Sequence, residues 1–123
     1  METWPLRDRT SIVGIGETQY WKAGGATRTE FELACEAVRR AVEDAGLSIA
    51  DVDGLSVYSG ERSEPTEVAQ ALGMRELRYV SLYPGGGNSA CAVVHHAAMA
   101  VASGSANVVV CYRSVCQGQF GRF

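Results

Sequence analysis

The segment YPGGGNSACAVVHHAAMAVASG, Tyr83 to Gly104, decides the fold. Three consecutive glycines, Gly85, Gly86 and Gly87, and a small polar pair, Asn88 and Ser89, precede a helix-length run from Ala90 to Ala102 that contains no Asp, Glu, Lys or Arg. A surface helix needs a polar stripe. This one offers water only His95 and His96, and residues adjacent in sequence do not share a helix face. The pattern predicts a helix from about Asn88 to Ser103 that is covered on nearly all sides, by another copy of the chain or by further chain folding over it. Glycines before such a helix serve one of two ends. Bare backbone N–H groups at a positive helix end can hold an oxyanion, a carbonyl oxygen or a phosphate. Alternatively, they give steric room where the helix start passes another backbone.

Outward from this segment, strands and helices alternate. Arg78–Leu82 before it and Asn107–Tyr112 after it are β-branched or aromatic runs, and so is Gly54–Tyr58 further upstream. Between them Glu64–Leu72, with Pro65 in its first turn and Gly73 beyond its end, predicts a short helix. Ser11–Gly16 is an apolar run punctuated by glycine and predicts a buried strand that leaves into a polar loop, Glu17–Ala26. Thr27 and Glu30 have the spacing of a capping box for the next helix. Phe31, Ala34, Cys35, Val38, Ala41, Val42 and Ala45 recur at three and four residues, which leaves Glu32, Glu36, Arg39, Arg40 and Glu43 outward and Gly46 as the stop. The alternation, with every connection long enough for a crossover, predicts an α/β domain with a largely parallel sheet.

Composition excludes several classes of function. With 46% hydrophobic and 20% charged residues among 123, the chain is an ordinary globular domain. Lys plus Arg number 11 against 14 Asp plus Glu, for a net charge of -3, and there is no basic block, so the footprint of a nucleic-acid binder is missing. METWPLRDRT lacks the apolar core of a signal peptide, and Ala90–Ala102 is too short to span a bilayer; a cytoplasmic, membrane-free protein is expected. Cys35, Cys91, Cys111 and Cys116 form no C-x-x-C pair and read as reduced thiols, with neither a zinc site nor a disulfide framework.

Other features weaken on inspection. Gly14-Ile-Gly16 follows the predicted strand, but the third position of a dinucleotide fingerprint is Gln19 and the helix starts too late, so a tight turn is the simpler reading. His95 and His96 have the wrong spacing for a two-histidine metal site. Cys91 lies in the first turn of its helix, where a dipole can activate a thiol, yet its neighbours Ala90, Ala92 and Val93 suggest inert packing. Arg113, Gln117, Gln119 and Arg122 form a polar set after the last strand, at the sheet end where ligands bind in open α/β folds.

SIVGIGETQY, FELACEAVRRAVEDAGLSIADVDGL, the triple glycine with its small-residue helix, and NVVVCYRSVCQGQFGRF together resemble the N-terminal part of the thiolase superfamily, in its lipid-transfer or sterol-carrier thiolase-like branch. The resemblance spans almost the whole chain and is nearest to the members that cleave steroid side chains. It implies a layered α/β thiolase-like fold with a mostly parallel sheet and a buried helix. It also implies that residues 1–123 are an incomplete N-terminal domain of a subunit that pairs as a dimer. In that family the acyl-accepting cysteine heads the third helix. Here that position falls on or beside Asn88, with Cys91 about one turn further in. The resemblance therefore implies no catalytic residue within this chain, a pocket lined by Gly86, Gly87, Asn88 and Ser89, no metal and no covalently bound cofactor. Its implied reaction is retro-aldol cleavage of a steroid-derived β-hydroxyacyl-CoA thioester, with tyrosines of the C-terminal half as acid and base and an OB-fold, zinc-ribbon protein as partner. Two alternatives stay open: a non-catalytic acyl-CoA or assembly module, and an ordinary acyltransferring thiolase.

Overall fold

The computed structural model describes residues 5–116, 118 and 119; expectations resting on Gln117, Phe120, Arg122 and Phe123 lie outside them. Three parallel strands make one sheet in the order β2-β1-β3, with β1 at Gly54–Tyr58, β2 at Tyr79–Tyr83 and β3 at Val109–Cys111. Each strand is followed or preceded by a helix: α1 at Glu30–Asp44, α2 at Pro65–Leu72 and α3 at Ala90–Ala102. Every residue of β1 is buried, as expected of a middle parallel strand covered on both faces.

The two faces follow from the period of two along β1. Leu55 and Val57 point into the core with Ala34, Val38 and Val42 of α1, Val68 and Ala69 of α2, and Tyr112. Gly54, Ser56 and Tyr58 point to the α3 side, where the Ser56 hydroxyl donates to the Val93 carbonyl at 2.9 Å. Asp53, immediately before β1, aligns the amino ends of the strands. Its buried carboxylate accepts the backbone N–H groups of Asn107 and Val108 at 2.9 Å each, and its carbonyl accepts the Arg78 N–H at 2.7 Å. Two groups on one short loop thereby set the entry of β2 and β3.

α1 has the sidedness its sequence promises, but its cap lies two residues later. Thr29 and Glu32 form the capping box, with the Thr29 hydroxyl accepting the Glu32 N–H at 3.1 Å and the Glu32 carboxylate accepting the Thr29 N–H at 2.9 Å. Thr27 and Glu30 do not cap. Glu30 is occupied elsewhere: its carboxylate accepts the Cys116 N–H at 3.3 Å, and its carbonyl accepts the Ser114 hydroxyl at 2.6 Å. Glu36, expected outward, is half-buried and pairs with both Arg28 and Arg40.

Ser11–Gly16 is not a strand. It lies along α1 against Ala37, Ala41 and Ala45, close enough that a Cβ on Gly14 would come within 2.8 Å of the Ala45 nitrogen and 2.3 Å of the Ala41 carbonyl oxygen. The Ile15 N–H goes to the Asp44 carboxylate at 2.9 Å. A strand is defined by its ladder, and among the described residues no strand lies alongside this run. Its apolar side chains are consequently in water, with Ile12 78% and Ile15 76% exposed.

Candidate functional site

The carboxyl ends of three parallel strands form the edge where open α/β sheets bind ligands. Tyr58 is level with Tyr83, and Ser56 with Cys111, so two residues on, Arg113 comes level with Tyr58. All three of Tyr83, Tyr58 and Arg113 fall on the α3 side by the period of two. Tyr83 meets the His96 ring edge-on at 4.8 Å, and the Arg113 guanidinium lies 5.1 Å from the centre of the Tyr58 ring. α3 runs antiparallel to the strands, since Val93 is level with Ser56 while Ala106, beyond its end, meets Gly54. Its start is thus delivered to the same edge.

That start is a 3-10 turn, Gly87–Ser89, leading into α3. Gly85 has φ 124, open only to glycine, and a Cβ there would also collide with the Ser89 hydroxyl. Asn88 folds its side-chain carbonyl back onto the Gly86 N–H at 3.1 Å, while the Ser89 hydroxyl donates to the Pro84 carbonyl at 3.1 Å. Gly86, Gly87 and Asn88 are exposed at the edge; Ser89 is buried beneath them at 3% exposure. The four residues singled out from sequence therefore divide into an exposed rim and one inward anchor. No side chain caps α3.

One expectation about α3 changes: Cys91, expected to be packed, is exposed, as are Val94 and His95 one turn on. Within this chain α3 is covered where it meets the sheet, through Val93, Ala97 and Ala100. The two histidines separate as their spacing requires: His95 faces water, and the Nδ1 of His96 pairs with the Ser81 hydroxyl at 3.0 Å.

Behind the edge, a polar network holds the loop after β1 against the chain after β3. The Glu61 carboxylate accepts the Ser63 N–H at 2.9 Å and the Ser114 N–H at 2.7 Å, and the Tyr112 hydroxyl donates to the Ser63 carbonyl at 2.5 Å. Burial, and secondarily the charges of Glu61 and Glu64, push the Tyr112 phenol far up, so it stays a proton donor here. Burial likewise raises the Cys111 thiol to about 11, its sulfur sitting 3.8 Å from the Val93 carbonyl oxygen. Of the two described members of the polar set predicted after β3, Arg113 and Gln119, Arg113 reaches the edge. Gln119 instead clasps the loop at 18–26, donating to the Trp21 and Lys22 carbonyls at 2.9 and 2.7 Å and accepting the Ala26 N–H at 2.8 Å. Sequence reading missed the pairing of Tyr58 with Arg113, which only strand register could reveal. All four cysteines are free, and no cluster of three metal-ligating side chains occurs among the described residues. No described helix is long and apolar enough to cross a membrane.

Comparison with solved structures decides the architecture. The chain superposes on an "Ltp2-ChsH2(DUF35) aldolase" with a TM-score of 0.78 and 48% identity, over 83% of this chain and 26% of that one. A monomeric SCP2-thiolase like protein from Mycobacterium smegmatis matches with a TM-score of 0.63 and 25% identity, over 81% and 22%. The fold is thiolase-like. Among curated proteins, a steroid side-chain-cleaving aldolase of Thermomonospora curvata is 49% identical over 109 residues, 89% of this chain and 27% of the relative. A 17-hydroxy-3-oxo-4-pregnene-20-carboxyl-CoA lyase of Mycobacterium tuberculosis is 48% identical over 118 residues, 96% of this chain and 30% of the relative. No family model matches. The thiolase-like chain described here is thus related to steroid side-chain-cleaving aldolases, and it spans 27–30% of the length of these curated relatives.

Proposed function

We propose that this chain is the N-terminal part of a thiolase-like lyase that cleaves a steroid-derived β-hydroxyacyl-CoA by a retro-aldol step without a cysteine nucleophile. The observation that carries the reading is Asn88 at the head of α3, beside the exposed Gly86 and Gly87, in a chain 48% identical to a carboxyl-CoA lyase. An amide cannot form a thioester, whereas a retro-aldol step needs none. A base removes the β-hydroxyl proton, the Cα–Cβ bond breaks, and its electron pair becomes the enolate of the shortened acyl-CoA while the β-carbon becomes a carbonyl. Reprotonation at Cα completes the reaction. In this reading Gly86, Gly87 and Asn88 line the thioester pocket and Ser89 fixes the turn from below. The base and acid are tyrosines from the remainder of the subunit.

The CoA thioester is the substrate, and no bound cofactor is invoked. The partner is an OB-fold, zinc-ribbon protein, and the setting is cytoplasmic. A homodimer forms through β2, whose free edge pairs antiparallel with its copy around Arg78–Leu82. Incubating the complete protein and its partner with a steroid β-hydroxyacyl-CoA tests the reading. A carbonyl product and a shortened acyl-CoA in equal amounts support it; a folded complex that yields neither refutes it.

A further inference from the structure

The carboxyl edge carries a cation that the proposed reaction has not used. Arg113 stacks on Tyr58, and no carboxylate lies within ion-pair distance of it among the described residues. Glu61, on the loop after β1, spends its two oxygens on the N–H groups of Ser63 and Ser114. The stack is built from below and from the side. Tyr58 is buried to 8% exposure, and a Cβ on Gly60 would come within 2.5 Å of its ring, so the glycine lets the loop close over the tyrosine. Ser114, next in sequence to Arg113, is tied through its N–H to Glu61 and through its hydroxyl to the Glu30 carbonyl. Backbone and ring together fix a guanidinium whose in-plane N–H groups remain available, and such a pre-oriented fork suits an oxyanion.

Register says where that fork points. β3 and β2 lie on either side of β1, about 10 Å apart by ordinary strand spacing. Arg113 leans over Tyr58 of β1, the strand that lies between β3 and Tyr83 with the turn that exposes Gly86, Gly87 and Asn88. A free cation, an aromatic platform and exposed backbone N–H groups thus share one face of one edge.

The geometry points to Arg113 as the oxyanion-recognising residue of this site, with Tyr58 as its positioning residue. Under the lyase reading, on which this role rests for its substrate, the oxyanion is either the enolate oxygen formed as Cα–Cβ breaks or a carboxylate or phosphate that the ligand already carries. Arg113 bonds to that oxygen by hydrogen bonding and charge alone, and no covalent step involves it.

Two measurements on the full chain with its partner test this. In the first, phenylglyoxal modification of Arg113 is followed by peptide mass spectrometry with and without a saturated acyl-CoA, which lacks the β-hydroxyl and cannot be cleaved. Protection of Arg113 is expected; equal modification with saturating ligand overturns the assignment. In the second, Arg113→Gln is expected to lower kcat/KM by roughly 10²–10³, with Arg113→Lys intermediate and the thermal midpoint unchanged because the side chain is exposed. A loss in kcat identifies the enolate, a rise in KM identifies an anion carried by the ligand, and kinetics within twofold of wild type overturn the role. Tyr58→Leu, which frees the guanidinium without removing it, should reproduce part of the loss. If no cleavage is seen with any β-hydroxyacyl-CoA while Arg113 is still protected, the lyase reading fails and the oxyanion site stands.

Discussion

α1 and α3 flank the same three strands from opposite sides, and they are built on opposite plans. α1 has a capping box, a buried stripe of Leu33, Ala34, Val38 and Val42, and a charged outer face. α3 has no side-chain cap, buries Val93, Ala97 and Ala100, and shows Cys91 and Val94 to water where charges would be expected. The first helix is finished by this chain alone. The second leaves an outer face with no charge, and such a face gains free energy only when a further layer covers it.

The largest effect should come from putting the same charge on each helix. Val38→Asp buries a carboxylate at a site 1% exposed, and unfolding is expected, by ~4 kcal/mol or more. Val94→Asp, at 43% exposure, should change the stability of the chain by less than ~0.5 kcal/mol yet weaken its assembly with further subunits. Urea unfolding and sedimentation separate these outcomes; equal destabilisation by both would erase the contrast. Removing the strap shared by both layers comes next. Asp53→Ala strands the Asn107 and Val108 N–H groups and should cost ~2–3 kcal/mol, visible as a lowered urea midpoint.

The pH response sharpens the comparison on the α3 side. Cys111 is raised in the folded chain, to about 11, so the unfolded thiol loses its proton first as pH rises. Its contribution is fully present below the unfolded pKa and is lost as pH climbs toward 11, by order of 2 kcal/mol. Tyr112 is raised as well and steepens the fall above pH 10. Unfolding midpoints measured from pH 8 to 11 should decline, and more shallowly in Cys111→Ala. Smallest of the four is the α1 cap: Thr29→Ala should cost ~1 kcal/mol, read as a few degrees in melting temperature.

How much of this was visible in the residues depends on the distance over which each feature is decided. β1, α2 and α3 were legible because turn residues such as Pro65, Gly73 and Gly85–Gly87 bound them locally. The capping box was displaced because Thr27/Glu30 and Thr29/Glu32 both satisfy the same spacing, and only the long-range bonds of Glu30 to Ser114 and Cys116 choose between them. Ser11–Gly16 has a strand's composition, but a ladder requires a neighbour that composition cannot supply. At the carboxyl edge, the triple glycine drew attention to Gly86, Gly87 and Asn88, whereas Tyr58 and Arg113 meet only because parallel register brings them level.

The all-parallel order β2-β1-β3 also sets a timetable for the chain as it is made. β1 cannot close a hairpin with a near neighbour; its last ladder partner, Cys111, follows Ser56 only after two helices and another strand have been synthesised. At ribosomal rates of about 5–20 residues per second, Leu55 and Val57 therefore wait several seconds with one edge unpaired. A nascent chain in that interval presents a short apolar strand to whatever holds it, and chaperone occupancy during translation should peak before residue 111 emerges.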